Sequence, residues 1–246
     1  MSEQRVEAIR PYDQQKAKAE QVRQMFDNIA PAYDFMNRAM TLGVDRWWRR
    51  VAVKKVAHAA PRHILDVATG TGDFALALYD HIHPEHIDGI DLSDGMLEVA
   101  RHKAAQRDLQ QHITFVQGDC LALPYPDESM DAVTVAFGVR NFEHIDQGYR
   151  EMYRVLKPGG TLCVVELSTP TNRVVRWFYD LYTLHIIPFV GSLKSGDRDA
   201  YRYLPLSIAA VPQGEDMLEL MRQAGFGHGA VQRLTFGTCS IYTAQR

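Results

Sequence analysis

The stretch Ile64-Leu65-Asp66-Val67-Ala68-Thr69-Gly70-Thr71-Gly72-Asp73 constrains the fold more than any other part of the chain. Ile64 to Val67 reads as a buried strand. Two glycines two apart then allow a tight turn with no Cβ in the way. Phe74-Ala75-Leu76-Ala77-Leu78 opens a helical pattern. A strand, a Gly-rich turn and a helix N-terminus together form a place where a ligand lies against bare backbone. The dinucleotide fingerprint G-x-G-x-x-G is not met, because the spacing is Ala68-x-Gly70-x-Gly72 with no third glycine.

This turn resembles the D-x-G-x-G-x-G motif of class I S-adenosylmethionine (SAM) methyltransferases, with Asp66 in place and Ala68 for the first glycine. Two more strand ends agree. Ile87-Asp88-Gly89-Ile90-Asp91 reads as strand two, and a carboxylate at its end can accept both hydroxyls of an adenosine ribose. Ser93 and Asp94 are the expected N-caps of the helix Gly95 to Arg107, which leaves Asp91 for the ligand. Strand three, Ile113 to Gln117, is followed by Asp119, placed to receive the adenine amino group, and by the Cys120 N–H as matching donor. Met96 and Leu121 are candidates for the ring faces.

Met130 to Phe137 is a near-continuous apolar run, as expected of a central strand in a parallel sheet. Arg140 and Asn141 follow it and are expected to face the reaction volume, since ligands bind at the carboxyl ends of such strands. A helix from Ile145 to Leu156 and strand five, Thr161 to Leu167, come next. A helix from Gly214 to Ala224 leads to strands 229–236 and 239–246, joined at Gly237. The expected fold is α/β and Rossmann-like, a mostly parallel seven-stranded sheet with helices on both faces. Its closing antiparallel hairpin separates it from a nicotinamide dehydrogenase.

Before the sheet, a helix is expected from Tyr12 to Ile29, ending before Pro31. A second is capped by Asp45 and runs to about His58. Trp47 and Trp48 cannot share a face, so one is expected in the core and the other on a cleft or lid. Residues 169–212 read as an insertion, with Asn172 to Val190 rich in aromatics and poor in charge. The whole chain reads as one methyltransferase domain, with a helical cap over about 1–60 and a lid over about 169–212.

Composition bounds the partners. A net charge of −3 argues against nucleic acid. No run reaches the roughly 18 apolar residues of a membrane span, and Met1-Ser2-Glu3-Gln4-Arg5 has no apolar signal core. Cys120, Cys163 and Cys239 fit free thiols in a reducing cytoplasm. His81, His83 and His86 flank Pro84 with no carboxylate or Cys at ligand spacing, so no metal is expected.

Longer stretches narrow the resemblance. Tyr33-Asp34-Phe35-Met36-Asn37 through Trp48, and Arg154-Val155-Leu156-Lys157-Pro158-Gly159-Gly160 through Glu166-Leu167-Ser168, resemble the two motifs of the ubiquinone/menaquinone biosynthesis C-methyltransferases. Phe137-Gly138-Val139-Arg140-Asn141 and Tyr203-Leu204-Pro205 are similar to that family as well. Thr71, Asp91 and Asp119-Cys120 match its SAM site. The chain departs at Thr41 (usually Ser), Asp45 (often His), Ala136 (often a small hydroxyl residue) and Leu206 (Glu).

The resemblance implies methyl transfer from SAM to a ring carbon of a polyprenylated hydroquinone, either demethylmenaquinol or a methoxy-polyprenyl benzoquinol. Cofactor-binding residues would be Gly70, Thr71, Gly72, Asp91, Asp119 and Cys120. Arg140 would stabilise the phenolate or an activating water, with Tyr33 and Asn141 orienting the hydroxyl and His185 as a proton acceptor. A prenyl tail implies transient membrane-surface contact through 172–190, and a cytoplasmic location at the inner face of the membrane. Protein partners would be a second copy of the chain or other quinone-biosynthesis enzymes. The residues leave open another lipophilic acceptor, an O-methyltransferase, or a SAM-binding assembly partner without catalysis.

Overall fold

Alternating burial on two faces organises the sheet. A computed structural model describes residues 6–183 and 198–246. Among them, β1 (His63–Val67), β2 (His86–Asp91), β3 (Ile113–Gln117), β4 (Met130–Ala136), β5 (Leu156–Leu167), β6 (Gly227–Leu234) and β7 (Cys239–Gln245) form one sheet. Its order is β3-β2-β1-β4-β5-β7-β6. β7 is antiparallel to both neighbours, and the other pairings are parallel. The closing hairpin is therefore as expected.

Helices cover both faces: α1 (Lys18–Thr41), α2 (Asp45–Ala57), α3 (Asp73–Ile82), α4 (Asp94–Ala105), α5 (Ile145–Val155), α6 (Arg173–Leu181), α7 (Arg198–Ala210) and α8 (Glu215–Gln223). Leu65, Val67, Val133 and Val135 pack against Tyr149 and Met152 of α5 and Met217 and Met221 of α8. Ile64, Ala132, Cys163 and Ile241 face the other way, onto Trp48, Val53, Phe74 and Leu97 of α2 to α4. Each such side chain contributes roughly 1.5–3 kcal/mol when fully buried. A third cluster joins Met25, Ile29 and Met36 of α1 to Met96 of α4 and Tyr203 of α7.

The N-terminal expectations need correction. α1 starts at Lys18 and runs on to Thr41, with Pro31 inside it. Proline costs a helix the bond to the carbonyl four residues back, which is that of Asp27. The surroundings compensate: the Asp27 carboxylate receives the Ser93 hydroxyl at 2.6 Å and the Gly95 N–H at 3.1 Å, tying this turn to α4. Asp45 does not cap α2, because Val44 is the N-cap and Asp45 is the first helical residue. β5 also reaches back to Leu156, which pairs with Met130 across an irregularity before the register resumes at Ala132 and Thr161. α7 runs through Pro205. Ser93 does cap α4, its hydroxyl accepting from the Met96 N–H at 3.1 Å.

Candidate active site

The strand order reverses between β1 and β4, and the ends of these strands carry the strained backbone. Ala68, just after β1, has φ 51°, and Phe137, just after β4, has φ 60°. Neither is a glycine, so each costs of order 1 kcal/mol, as strained residues at functional sites do. Gly138 sits between them. A Cβ there would lie 2.6 Å from the Ala68 Cβ, so glycine lets the two strand ends approach. A single turn of tighter helix, Val139–Asn141, then carries Arg140 and Asn141 over the sheet edge. Lys18 anchors that turn. It is fully buried, and its ammonium donates to the carbonyls of Val6 (2.8 Å), Arg140 (3.0 Å) and Phe142 (3.0 Å).

Two cavities open at these strand ends. The first is lined by Gly70, Asp91, Met96, Asp119, Cys120, Leu121 and Asn141, with Val22 and Phe26 of α1 across from them. Contrary to the sequence expectation, Asp91 is not free. One oxygen accepts from the Gly70 N–H at 2.8 Å and the other from the Ser93 N–H at 2.9 Å. A carboxylate has about four acceptor positions, so each oxygen keeps capacity for a ligand. Burial raises the Asp91 pKa, and the backbone donors of Ser93 and Gly70 oppose the shift. Asp119 braces its own turn by accepting from the Leu121 N–H at 2.9 Å. Burial, with the Asp119 charge nearby, pushes the Cys120 thiol well up, which suits a neutral wall.

Thr71 and Gly72 do not line this cavity. The Thr71 hydroxyl turns away and donates to Asp34 of α1 at 2.6 Å. Gly72 is the N-cap of α3 at φ 77°. A Cβ there would come within 2.8 Å of the Phe115 ring, so its glycine serves the packing of turn against β3. Lys103 of α4 joins this corner, 2.5 Å from Asp34 and 2.6 Å from Asp73.

The second cavity is walled mainly by apolar side chains, among them Met40, Trp48, Leu167, Tyr182, Leu204 and Ile208. Tyr33 and Phe137 line both cavities and form their common wall. Arg140 lies in the second cavity. Its guanidinium pairs with Glu166 at 2.8 Å and donates to the Phe137 carbonyl, while its Nε is buried without a partner. Burial opposes the Arg140 charge, but Glu166 and the Tyr33 and Tyr203 phenols outweigh it and raise the pKa. Burial likewise raises the Tyr33 phenol, with Arg140 opposing. Tyr203 of α7 reaches Asn141 Oδ1 at 3.2 Å.

Trp48, rather than two different tryptophans, is both buried and on the cavity wall, its indole N–H donating to Thr235 at 2.7 Å. Trp47 is exposed on the surface. Glu166, Thr235 and Thr238 were not singled out as site residues in the sequence. Glu166 could have been, from its place at the end of β5, whereas the two threonines come from the β6–β7 turn, which carries no sequence signal. His185 lies outside the described residues. Among the described residues no group of His, Cys, Asp and Glu could hold a metal ion, and no helix is long and apolar enough to cross a membrane.

A cleft rimmed by strand-end carboxylates and a larger, more apolar cavity thus share a wall beside a buried cation. The chain is 48% identical over 240 residues to a Bacteroides fragilis protein named demethylmenaquinone methyltransferase, covering 98% of each. It is 44% identical over 230 residues to the ubiquinone/menaquinone biosynthesis C-methyltransferase of Geobacter sulfurreducens, covering 93% of this chain and 90% of that one. The fold matches the structure of a SAM-dependent methyltransferase from Aquifex aeolicus with TM-score 0.54 at 18% identity, over 74% of this chain and 81% of the other. Residues 14–246 match the model of the ubiE/COQ5 methyltransferase family, and the chain, a SAM-dependent C-methyltransferase with a class I fold, belongs to that family.

Proposed function

We propose that the chain methylates a ring carbon of a polyprenylated hydroquinone, with demethylmenaquinol as the acceptor, in respiratory quinone biosynthesis. The observation that carries this reading is the pair of cavities meeting at Tyr33 and Phe137, one rimmed by strand-end carboxylates and the other apolar with Arg140 in its wall. The more similar of the two relatives above carries the demethylmenaquinone name, which favours the naphthoquinol over the benzoquinol.

In the first cavity, Asp91 accepts the ribose hydroxyls of SAM. Asp119 accepts the adenine amino group, and the Cys120 N–H donates to the ring. Gly70 keeps the backbone open to the ligand, while Thr71 and Gly72 act by shaping the turn. Met96 and Leu121 cover the faces of the adenine. The S-methyl then points at the shared wall, in line with an acceptor carbon at near-attack distance.

A ring carbon is a weak nucleophile until a neighbouring hydroxyl becomes phenolate. Arg140 supplies a fixed cation toward that developing charge. Guanidinium does not give up a proton in proteins, so Arg140 holds the phenolate or a water and leaves the ring proton to solvent or another base. Tyr33, on the shared wall, orients the hydroxyl, while Asn141, which lines the first cavity, helps to hold the turn that carries Arg140. α1 acts as a cap, and α6 and α7 act as a lid.

The tail sets the location. Each CH₂ taken from a bilayer costs about 0.8 kcal/mol, so the acceptor keeps its tail in the membrane while its head is methylated. α6 has no buried residue and exposes Val174, Trp177, Phe178 and Leu181. Tyr179 of the same helix lines the second cavity. This helix lays its apolar side on the membrane surface at the mouth of that cavity.

The experiment is methyl transfer from labelled SAM to demethylmenaquinol in reduced vesicles, followed by mass spectrometry. Methylated naphthoquinol is the expected product. Methylated benzoquinol alone would reassign the ring, and labelled product from neither ring would overturn the reading. Flotation with those vesicles should carry the protein upward, and a Trp177→Ser, Phe178→Ser variant should stay below.

A further inference from the structure

The wall of the second cavity contains two ion pairs, and each presents one member to the interior. Arg140 lines the cavity while its partner Glu166 stands behind it, and Asp45 lines the cavity while its partner Arg49 stands behind it. The interior therefore meets a cationic donor at one place and an anionic acceptor at another, within walls that are otherwise largely apolar.

Asp45 is 2% exposed. One of its oxygens accepts the Thr41 hydroxyl at 2.7 Å and the other accepts Arg49 at 2.5 Å. Each oxygen has two acceptor positions, so one on each remains unused. On the other side, Arg140 Nε is a buried donor without a partner. A carboxylate facing an apolar cavity is unfavourable unless something donates to it. Thr41 adds no further donor, since its single hydroxyl proton already has two acceptors in reach, Asp45 and the Asn37 carbonyl (2.7 Å).

A ligand matched to this wall carries an acceptor oxygen for Arg140 and a donor hydroxyl for Asp45. A 1,4-hydroquinone that has begun to ionise has both. Its oxidised quinone has two carbonyl oxygens and no donor, so one carbonyl would face the carboxylate with no proton between them. Repulsion of that kind is how a site excludes a ligand of nearly identical shape.

We propose that Asp45 is a specificity-determining residue: it accepts the hydroxyl that stays protonated, and so makes the cavity take the reduced ring and refuse the quinone. This rests on the hydroquinone reading of the site. The consequence is that the enzyme is not occupied by the oxidised form when both are present in one membrane.

The test uses the full chain with SAM, a short-tailed naphthohydroquinone as substrate and the matching quinone as inhibitor. In the wild type, the quinone inhibition constant should exceed the hydroquinone KM by about tenfold or more, the scale of one charge-assisted hydrogen bond. Asp45→Asn keeps the shape but replaces one oxygen by an N–H donor. It should raise the hydroquinone KM, tighten the quinone and narrow that ratio about tenfold, with SAM affinity by calorimetry unchanged. An unchanged ratio in the variant overturns the assignment. Should the variant fail to bind SAM, the wild-type ratio decides alone, and equal binding of quinone and hydroquinone overturns the proposal. Failure of the wild type to methylate the hydroquinone instead refutes the reading of the site on which the proposal rests.

Discussion

Arg140 Nη1 lies 2.8 Å from Glu166 Oε1, with both side chains almost wholly shielded from water. Glu166 also accepts from the backbone N–H groups of Arg140 (3.2 Å) and Leu167 (2.9 Å), so the acid is a fixed socket for the arginine. Removing one member of such a buried pair leaves the other charge uncompensated, at about 3–5 kcal/mol. Glu166→Gln should therefore lower the unfolding free energy by several kcal/mol in denaturant titrations. Arg140→Lys keeps the charge but loses the planar donors. It should lower kcat about a hundredfold with SAM affinity within about twofold, and wild-type turnover would remove Arg140 from the chemistry.

Asp34 joins the helix over the site to the glycine turn. It takes the Thr71 hydroxyl and the Lys103 ammonium, one residue beyond Tyr33. Burial pushes the Asp73 pKa up, but Lys103, with Arg49 and Arg38, outweighs it and the pKa is lowered. Asp34→Ala should release this end of α1 and misplace Tyr33. Steady-state kinetics should show kcat falling about tenfold or more, the scale set by a small misplacement of a positioned group. A variant with unchanged kcat and only lower stability would reduce Asp34 to a structural clamp.

Ala68 and Gly138 form a coupled pair, because a Cβ on Gly138 would meet that of Ala68. Gly138→Ala alone should destabilise by about 1–3 kcal/mol, the usual scale of overpacking. Ala68→Gly removes both the opposing methyl and the strain at φ 51°. In the double variant most of the Gly138→Ala loss should return, giving a coupling energy of about 1 kcal/mol in a thermodynamic cycle. Simple additivity would show that the strand ends separate freely.

Asp66 gives a pH signature. Burial raises its pKa from 3.8 to about 6, against the hydroxyl bonds from Thr134 and Thr69. A folded-state pKa above the unfolded one means that the fold holds a proton which the unfolded chain has released between these values. This contribution to stability is complete below 3.8 and is lost as pH rises through 6. Relative to Asp66→Asn, which cannot ionise, the wild type should lose on the order of 2–3 kcal/mol between those limits. A difference in Tm independent of pH would overturn this.

Much of the fold was legible because it rests on local pattern. β3 and the capping of α4 by Ser93 follow from apolar runs and a hydroxyl at the right place. What escaped depends on partners far away in sequence. Pro31 reads as a stop unless Asp27 is known to grip α4. Thr71 reads as a ligand contact unless Asp34 is known to stand beside it. Gly72 reads as a cofactor-binding glycine, yet its need comes from Phe115, a β3 residue. In the site, Asp91, Asp119 and Arg140 fall at strand ends, where chain order alone points to a crevice. The second cavity is assembled from α1, α2, α6, α7 and the β6–β7 turn, and no short window contains it.

The wall shared by Tyr33 and Phe137 has a kinetic corollary. In the proposed arrangement SAM and the acceptor enter by different cavities and meet at that wall, so neither blocks the doorway of the other. Nucleoside product and methylated ring can then depart in either sequence, and no methyl group needs to be parked on the protein between visits. Initial-rate plots should intersect, as they do when both reactants are present at once. Parallel lines would mean that the wall is crossed in two separate trips.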